Sequence, residues 1–312
     1  NLMSVLFYCP WHDKKEWIKQ IRKIFNKNNI FTIDDNVNFS KIEYAIVWEL
    51  PDKIYKKLTN LKLIFSMGAG VDHILNLASY NKVPIVRLKD PLMAERMSNH
   101  VVSQVLQYQL NLKNYMEGQK KRKWMDFIIP VSNLNIKIGI LGVGFLGSDV
   151  GNTLLDLGYQ VQGYKLSKPE KAFKFPVLFQ LKDLRKFIRT SDVIVSVLPS
   201  TIKTFKFINK DFLKLMKKKA LLINVGRGST INEEDLIQHL ITNKNFYASL
   251  DVFNNEPLQK NHPFWILQNV TITPHVASVT GINSAVEHMY KKFKEFKKKK
   301  RFKSDVNLEK GY

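Results

Sequence analysis

An arginine, a glutamate and a histidine follow one another through the second half of this 312-residue chain, downstream of a glycine-rich turn. Arg227 stands in Asn224-Val225-Gly226-Arg227-Gly228, Glu256 in Asp251-Val252-Phe253-Asn254-Asn255-Glu256-Pro257, and His275 in Thr273-Pro274-His275-Val276-Ala277. The turn is Gly142-Val143-Gly144-Phe145-Leu146-Gly147. A guanidinium keeps its proton and can grip a carboxylate through two parallel bonds. An imidazole can give up a proton near neutral pH, and a carboxylate beside it favours the charged ring and fixes its orientation. With a hydride carrier on the glycine turn, these are the groups that reduction of a 2-oxo acid requires. Each also has a plainer reading: Arg227 as a surface ion pair, His275 as a structural histidine, and Glu256 as meaningful only through its position.

The glycine turn has a context that a bare glycine pattern lacks. Lys137-Ile138-Gly139-Ile140-Leu141 reads as a buried strand leading straight into it, a helical pattern follows from about Val150, and residues 160–164 read as another strand. In such a unit the first glycine permits the tight turn and the second lets pyrophosphate approach the backbone. The third allows close helix–strand packing, and the helix N-terminus meets the phosphate charge. Gly142, Gly144, Phe145, Leu146 and Gly147 are expected to hold a dinucleotide.

The end of that second strand bears on which dinucleotide. An NAD site usually places Asp or Glu there, to accept from the ribose 2′-hydroxyl. Here the strand runs out into Gly163-Tyr164-Lys165-Leu166-Ser167-Lys168, with no acid. A carboxylate would repel a 2′-phosphate, whereas Lys165, Ser167 and Lys168 could donate to one. The expectation is NADPH over NADH; the alternative is that these lysines belong to the general lysine excess.

Two alternating series position these residues. The first has strand-like runs at residues 4–8, 44–48, 63–66 and 84–88, and a helix over residues 14–26 with Trp17, Ile18, Ile21, Ile24 and Phe25 at helical spacing. A single long helix is predicted over residues 98–121. The second series has strands at 136–141, 160–164, 193–198, 220–224, 247–250 and 270–273, and a helix closes the chain from about Gly281 into a lysine run. Alternation of this kind predicts α/β architecture with parallel sheets covered on both faces. The long helix places a boundary near residue 98.

Composition narrows the class further. Hydrophobic content of 45% is enough for packed cores, and the lone cysteine, Cys9, cannot form an internal disulfide. No stretch approaches a membrane span, the amino end lacks a signal peptide's layout, and no Cys/His cluster has metal-ligand spacing. The expectation is a cytoplasmic protein without metal. A formal charge of +22 could mark a nucleic-acid surface. The excess is nearly all scattered lysine, and the densest run, residues 297–301, lacks interleaved aromatics for base stacking. Solvated lysine faces are the reading favoured over nucleic acid, and the field should draw in small anions.

Taken together, residues 68–72 (Gly-Ala-Gly-Val-Asp), 142–147, Leu198-Pro199-Ser200-Thr201, 224–234, 250–258 and 262–275 resemble the D-isomer-specific 2-hydroxyacid dehydrogenases, most nearly the glyoxylate/hydroxypyruvate reductase A branch. The resemblance runs over nearly the whole chain. It implies two doubly wound parallel-sheet lobes, a Rossmann cofactor domain (residues 99–283) inserted into a flavodoxin-like substrate domain (residues 1–98 and 284–312), with the active site in the cleft. It implies Arg227 as carboxylate grip, His275 as proton donor and Glu256 as its partner. Leu198, Pro199, Thr204, Val225, Gly226 and Asp251 would line the cofactor. Ala69, Gly70 and Val71 would serve the substrate, with Trp48 and Met93 as pocket walls or as plain core. The implied activity is NADPH-dependent reduction of glyoxylate and hydroxypyruvate by a homodimer. Alternatives are a sibling dehydrogenase for another 2-hydroxy acid, or a dinucleotide-sensing binding protein of the co-repressor type.

Overall fold

The apolar runs of the first series pair side by side in the computed structural model, which describes residues 4–25, 29–169, 172–299 and 304–312. In chain order these are β1 (Val5–Tyr8), α1 (Lys14–Ile24), β2 (Ile30–Phe31), β3 (Tyr44–Val47), α2 (Asp52–Tyr55), β4 (Leu63–Ser66), α3 (Asp72–Leu75) and β5 (Ile85–Val86). The sheet order is β2-β1-β3-β4-β5, and every pairing is parallel. This is the flavodoxin-like winding, which reverses direction between β1 and β3. Helix α1 turns Trp17 and Ile21 inward, the four-residue spacing that lines one helical face. Its predicted last residue, Asn26, lies outside the described residues.

The predicted single helix over 98–121 is two helices. The first, α4 (Pro91–Gln109), begins seven residues earlier than expected, and the second is α5 (Leu112–Lys120). Between them Asn111 takes a left-handed backbone (φ 55°), which the polar side chain of Asn tolerates and which ends the first helix. The start is set by Asp90, whose carboxylate accepts the Leu92 N–H at 3.0 Å, and by Pro91, whose fixed φ suits a first helical turn.

The second series gives β6 (Lys137–Leu141), α6 (Phe145–Asp156), β7 (Gln160–Tyr164), β8 (Val177–Leu178), α7 (Leu181–Thr190), β9 (Val193–Ser196), α8 (Lys210–Leu215), β10 (Leu221–Asn224), α9 (Glu233–Thr242), β11 (Tyr247–Leu250) and β12 (Val270–Ile272). These strands form one parallel sheet in the order β12-β11-β10-β9-β6-β7-β8. Both faces are covered, as the alternation of side chains shows. Ile194 and Leu222 enter one core with Phe187 and Phe246, while Val193, Val195 and Ile223 enter the other with Ile140 and Val150. Truncating a side chain such as Phe187, which is fully buried, is expected to cost about 3–5 kcal/mol. The sheet winds outward from β6 in both directions, the doubly wound order with its switch between β6 and β9.

The last helix, α10 (Ile282–Lys299), returns to α1: Phe293 and Tyr290 pack on Phe25 with ring centroids 5.6 and 5.0 Å away. Of the predicted lysine run, Lys300 and Arg301 lie outside the described residues. By its contacts the chain divides into two units, Asn1–Leu92 with Thr280–Tyr312, and Met93–Val279.

Candidate active site

A single line of register partners crosses the seven-stranded sheet. Ile272 pairs with Leu250, Leu250 with Asn224, Asn224 with Ser196, Ser196 with Leu141, and Leu141 with Tyr164. All these strands run the same way, so the segments that follow them emerge at one edge. Those segments carry Gly142, Lys165, Leu198, Arg227, Asp251 and His275. This is the edge at which open parallel sheets hold ligands.

At the middle of that edge, Gly142 adopts φ 100° and a Cβ there would sit 2.9 Å from the Val197 carbonyl oxygen. Gly147, in the first turn of α6, packs so closely that a Cβ would fall 2.1 Å from the Gly142 oxygen. Gly144 differs: a Cβ there would meet no atom within 4 Å. The backbone at Gly144 is therefore open to an approaching group, and α6 starts there with no side chain capping its free N–H donors. These features fit the pyrophosphate of a dinucleotide. Phe145 and Leu146 lie in the same first turn.

Beyond β7, Lys165 holds its ammonium 5.7 Å from the centre of the Phe173 ring, and Lys168 is exposed. Ser167 is half-buried, and residues 165–168 contain no acid. The segment after β9 is internally braced. The Thr204 hydroxyl, buried at 1% exposure, donates to the Pro199 carbonyl at 2.6 Å and accepts the Thr201 N–H at 2.9 Å. Thr204 thus shapes the loop with a hydroxyl already engaged, and Leu198 and Val225 are buried beside the switch point.

The three residues of chemical interest come from three successive strand ends. Arg227 follows β10, half-buried, with one guanidinium nitrogen donating to the Gly226 carbonyl at 2.9 Å. Gly228 allows this segment to lie against the loop after β11, since a Cβ there would fall 1.9 Å from the Phe253 carbonyl carbon. In that loop Glu256 accepts the Phe253 N–H at 2.9 Å through one carboxylate oxygen. Its other oxygen lies 2.7 Å from Nδ1 of His275. Partial burial pushes the Glu256 carboxyl up, but the bonds from His275 and Phe253, with the charges of His275 and Arg227, outweigh it and hold the group below its ordinary value.

His275 has a left-handed backbone, φ 55°, a conformation that costs an L-residue of order 1–3 kcal/mol and persists only where its surroundings enforce it. The enforcing residue is Asp251, which is almost fully buried. Its carbonyl accepts the His275 N–H at 2.8 Å. Its carboxylate accepts from the Thr273 hydroxyl at 2.6 Å and from the Val276 and Ala277 amides at 2.9 Å each. Asp251 therefore grips the chain on both sides of the imidazole.

The remaining predicted residues divide between the units. Met93 is buried, and its carbonyl accepts the Ser278 hydroxyl at 2.8 Å. In the first unit, β3 and β4 end together, with Val47 paired to Ser66. Trp48 follows one strand and the turn of Ala69, Gly70 and Val71 follows the other. Ala69 and Gly70 are half-exposed, while the Val71 side chain is core.

Several supporting residues carry no pattern legible from sequence. Glu233, at the start of α9, accepts the Asn254 N–H at 2.9 Å and so pins the loop that carries Glu256. Gln104 and Gln107 on α4 accept from the Ser249 and Thr271 hydroxyls of β11 and β12. Among the described residues no group of three His, Cys, Asp or Glu side chains is placed to hold a metal ion, and no helix is long and apolar enough to cross a membrane.

Residues 102–277 match the family D-isomer specific 2-hydroxyacid dehydrogenase, NAD binding domain. The chain is 32% identical to glyoxylate/hydroxypyruvate reductase A of Photorhabdus laumondii over 99% of its own length and 100% of that protein's. Among solved structures, it is similar to a D-isomer specific 2-hydroxyacid dehydrogenase of Xanthobacter autotrophicus in complex with NADPH and MES (TM-score 0.92, 27% identity, 100% of both chains). It is also similar to an NADPH-dependent glyoxylate/hydroxypyruvate reductase of Sinorhizobium meliloti in complex with NADP and sulfate (TM-score 0.92, 28% identity, 99% and 100% of the two chains).

Proposed function

The chain belongs to the D-isomer specific 2-hydroxyacid dehydrogenase family, and from that premise we propose that it reduces small 2-oxo acids with NADPH, glyoxylate to glycolate and hydroxypyruvate to glycerate. The observation that carries the reading is the 2.7 Å contact of His275 with Glu256, at the sheet edge that also presents Arg227 and the open backbone of Gly144. An ion pair with 45% and 35% of its side chains exposed adds at most about 1 kcal/mol to folding. Stability alone gives little reason for such a pair at a backbone as constrained as that of His275.

The chemistry that a bound dihydronicotinamide supplies is hydride for the carbonyl carbon. His275 gives a proton to the carbonyl oxygen through Nε2, while Glu256 on Nδ1 orients the ring. Arg227 grips the substrate carboxylate and, with His275, stabilises negative charge as it gathers on the oxygen. The amides of Ala69, Gly70 and Val71 also serve the oxo acid, with Trp48 and Met93 as pocket walls. Gly142, Gly144, Phe145, Leu146 and Gly147 take the pyrophosphate, and Lys165, Ser167 and Lys168 take the 2′-phosphate. Leu198, Pro199, Val225 and Gly226 line the cofactor, and Thr204 and Asp251 hold those linings in shape. Met93–Val279 is then the cofactor unit.

The reading extends to a cytoplasmic homodimer joined through the cofactor unit. Its support is the apolar stretch Trp124, Phe127, Ile128 and Ile129, exposed at 98%, 83%, 60% and 80%. Solvent-facing apolar surface on this scale marks association. Sedimentation as a monomer at micromolar concentration would remove that part of the proposal.

The test of the whole is a panel of 2-oxo acids offered to the purified protein with NADPH and with NADH, followed at the nicotinamide absorbance. Glyoxylate and hydroxypyruvate are expected to drive NADPH oxidation faster than NADH oxidation. No turnover with any 2-oxo acid would refute the reading.

A further inference from the structure

Behind the turn of Ala69 and Gly70 stands a set of hydrogen bonds that the chemistry above does not use. Ser66, the last residue of β4, is fully buried, and its hydroxyl donates to the Gly70 carbonyl at 2.7 Å. The same oxygen lies 3.2 Å from Nε2 of His73 on α3 and 3.5 Å from the Gly68 N–H. The other ring nitrogen, Nδ1 of His73, accepts the Glu49 N–H at 3.1 Å.

That last bond settles the tautomer. A nitrogen that accepts from a backbone N–H carries no proton, so in the neutral ring the proton is on Nε2, facing Ser66. Every role then follows in one direction. The Glu49 amide donates to Nδ1, Nε2–H donates to the Ser66 oxygen, and the Ser66 hydroxyl donates to Gly70. The Ser66 oxygen also receives Gly68, so its one donor and two acceptor positions are filled. The imidazole is fixed from its face as well, by the Trp48 ring 4.2 Å away between centroids. Trp48 in turn lies so close to Gly68 that a Cβ there would fall 2.6 Å from the indole.

We propose that His73 and Ser66 are positioning residues for the oxo acid: the neutral Nε2–H tautomer of His73 orients the Ser66 hydroxyl, which holds the Gly70 carbonyl and thereby aims the amides of the turn. The proposal rests on the reading that this turn serves the substrate. Ser66 and His73 touch no reactant, so their effect falls on substrate recognition. Rotating the Gly70 peptide misdirects the amide that follows it, at Val71, and leaves proton donation at His275 intact.

Side-chain amides separate the two bonds of the ring. In His73→Gln the terminal amide falls where Nε2 stood and can still donate to Ser66. In His73→Asn the amide falls where Nδ1 stood and cannot. Ser66→Ala removes the bond to Gly70 outright. For Ser66→Ala and His73→Asn the KM for glyoxylate is expected to rise about tenfold, the worth of one oriented hydrogen bond. The KM for NADPH and kcat should stay within about twofold, and His73→Gln should restore the glyoxylate KM to within about threefold of wild type. Nitrogen NMR of the wild-type apoprotein should show His73 protonated on Nε2 and bare on Nδ1.

A proton on Nδ1, an unchanged glyoxylate KM in Ser66→Ala, or equal losses for both reactants in a variant with wild-type thermal stability would overturn the proposal. The NMR result does not depend on activity. A wild-type protein inert toward all 2-oxo acids refutes the reductase reading and this role with it, whereas the wrong tautomer in an active enzyme refutes the role alone.

Discussion

Nδ1 of His275 lies 2.7 Å from a carboxylate oxygen of Glu256, and each partner is held by backbone bonds that do not depend on the other. Glu256 is anchored by the Phe253 amide, and His275 by Asp251. With Nδ1 engaged by Glu256, Nε2 is the nitrogen through which the proposed proton transfer would run. On that reading the pair is directional: one side of the ring is for orientation and the other for reaction.

That geometry has a pH signature. Glu256 is held below the ordinary carboxylate value, so it remains ionised well into acid. Its contribution to folding is present above the unfolded carboxyl's value and disappears as the pH falls through the lower folded value. Glu256→Gln should remove that acid-side dependence of stability and reduce kcat about 10- to 100-fold. His275→Gln should lower kcat more than either change alters NADPH affinity. A wild-type kcat in Glu256→Gln would dismiss Glu256 as the partner.

Arg227→Lys keeps the charge but loses the planar fork. We expect it to lower kcat/KM for glyoxylate about 10²- to 10³-fold, with Arg227→Ala at least as severe. Fluorescence titration should show NADPH binding changed by only about threefold. Wild-type kinetics in Arg227→Lys would show that a point charge suffices and that the bidentate grip is wrong.

The second and third glycines of the turn separate folding from binding. Gly147→Ala forces a methyl to within 2.1 Å of a carbonyl oxygen and should destabilise the protein by about 1–3 kcal/mol, seen as a lowered melting temperature. Gly144→Ala places the methyl in open space, so its melting temperature should match wild type while NADPH affinity falls. Full NADPH affinity in Gly144→Ala would remove the pyrophosphate from that backbone.

Lys165→Asp puts a carboxylate where a strand-end acid meets a ribose hydroxyl in NAD sites. It should raise the KM for NADPH about 10- to 100-fold, through repulsion of the 2′-phosphate, and lower the KM for NADH. Parallel changes for both nucleotides would mean that residues 165–168 do not read the phosphate.

Much of this was legible in the chain. The strands that carry the site are short runs of three to five mostly buried residues, and Gln160–Tyr164 and Tyr247–Leu250 have the bounds expected from the sequence. What escaped did so for physical reasons. β2 and β8 are two residues each, too short for any periodicity. The interruption at Asn111 is a single left-handed residue in an otherwise helical pattern, whereas the helix start at Asp90-Pro91 bears a capping signal that the apolar periodicity from Val101 overshadowed. The supporting roles of Asp251, Glu233, Ser66 and His73 depend on partners 2 to 26 residues away, which folding alone brings together.

Three donors from residues 273, 276 and 277 converge on one hidden carboxylate, Asp251, which belongs to the same segment as the end of β11. His275 is consequently mounted on the interior of its unit rather than on a surface loop with freedom of its own. Warming should not loosen the acid ahead of the rest. Heat inactivation and loss of ordered structure in that unit are expected to coincide, and turnover that faded several degrees below the melting transition would show that the mounting is softer than its bonds suggest.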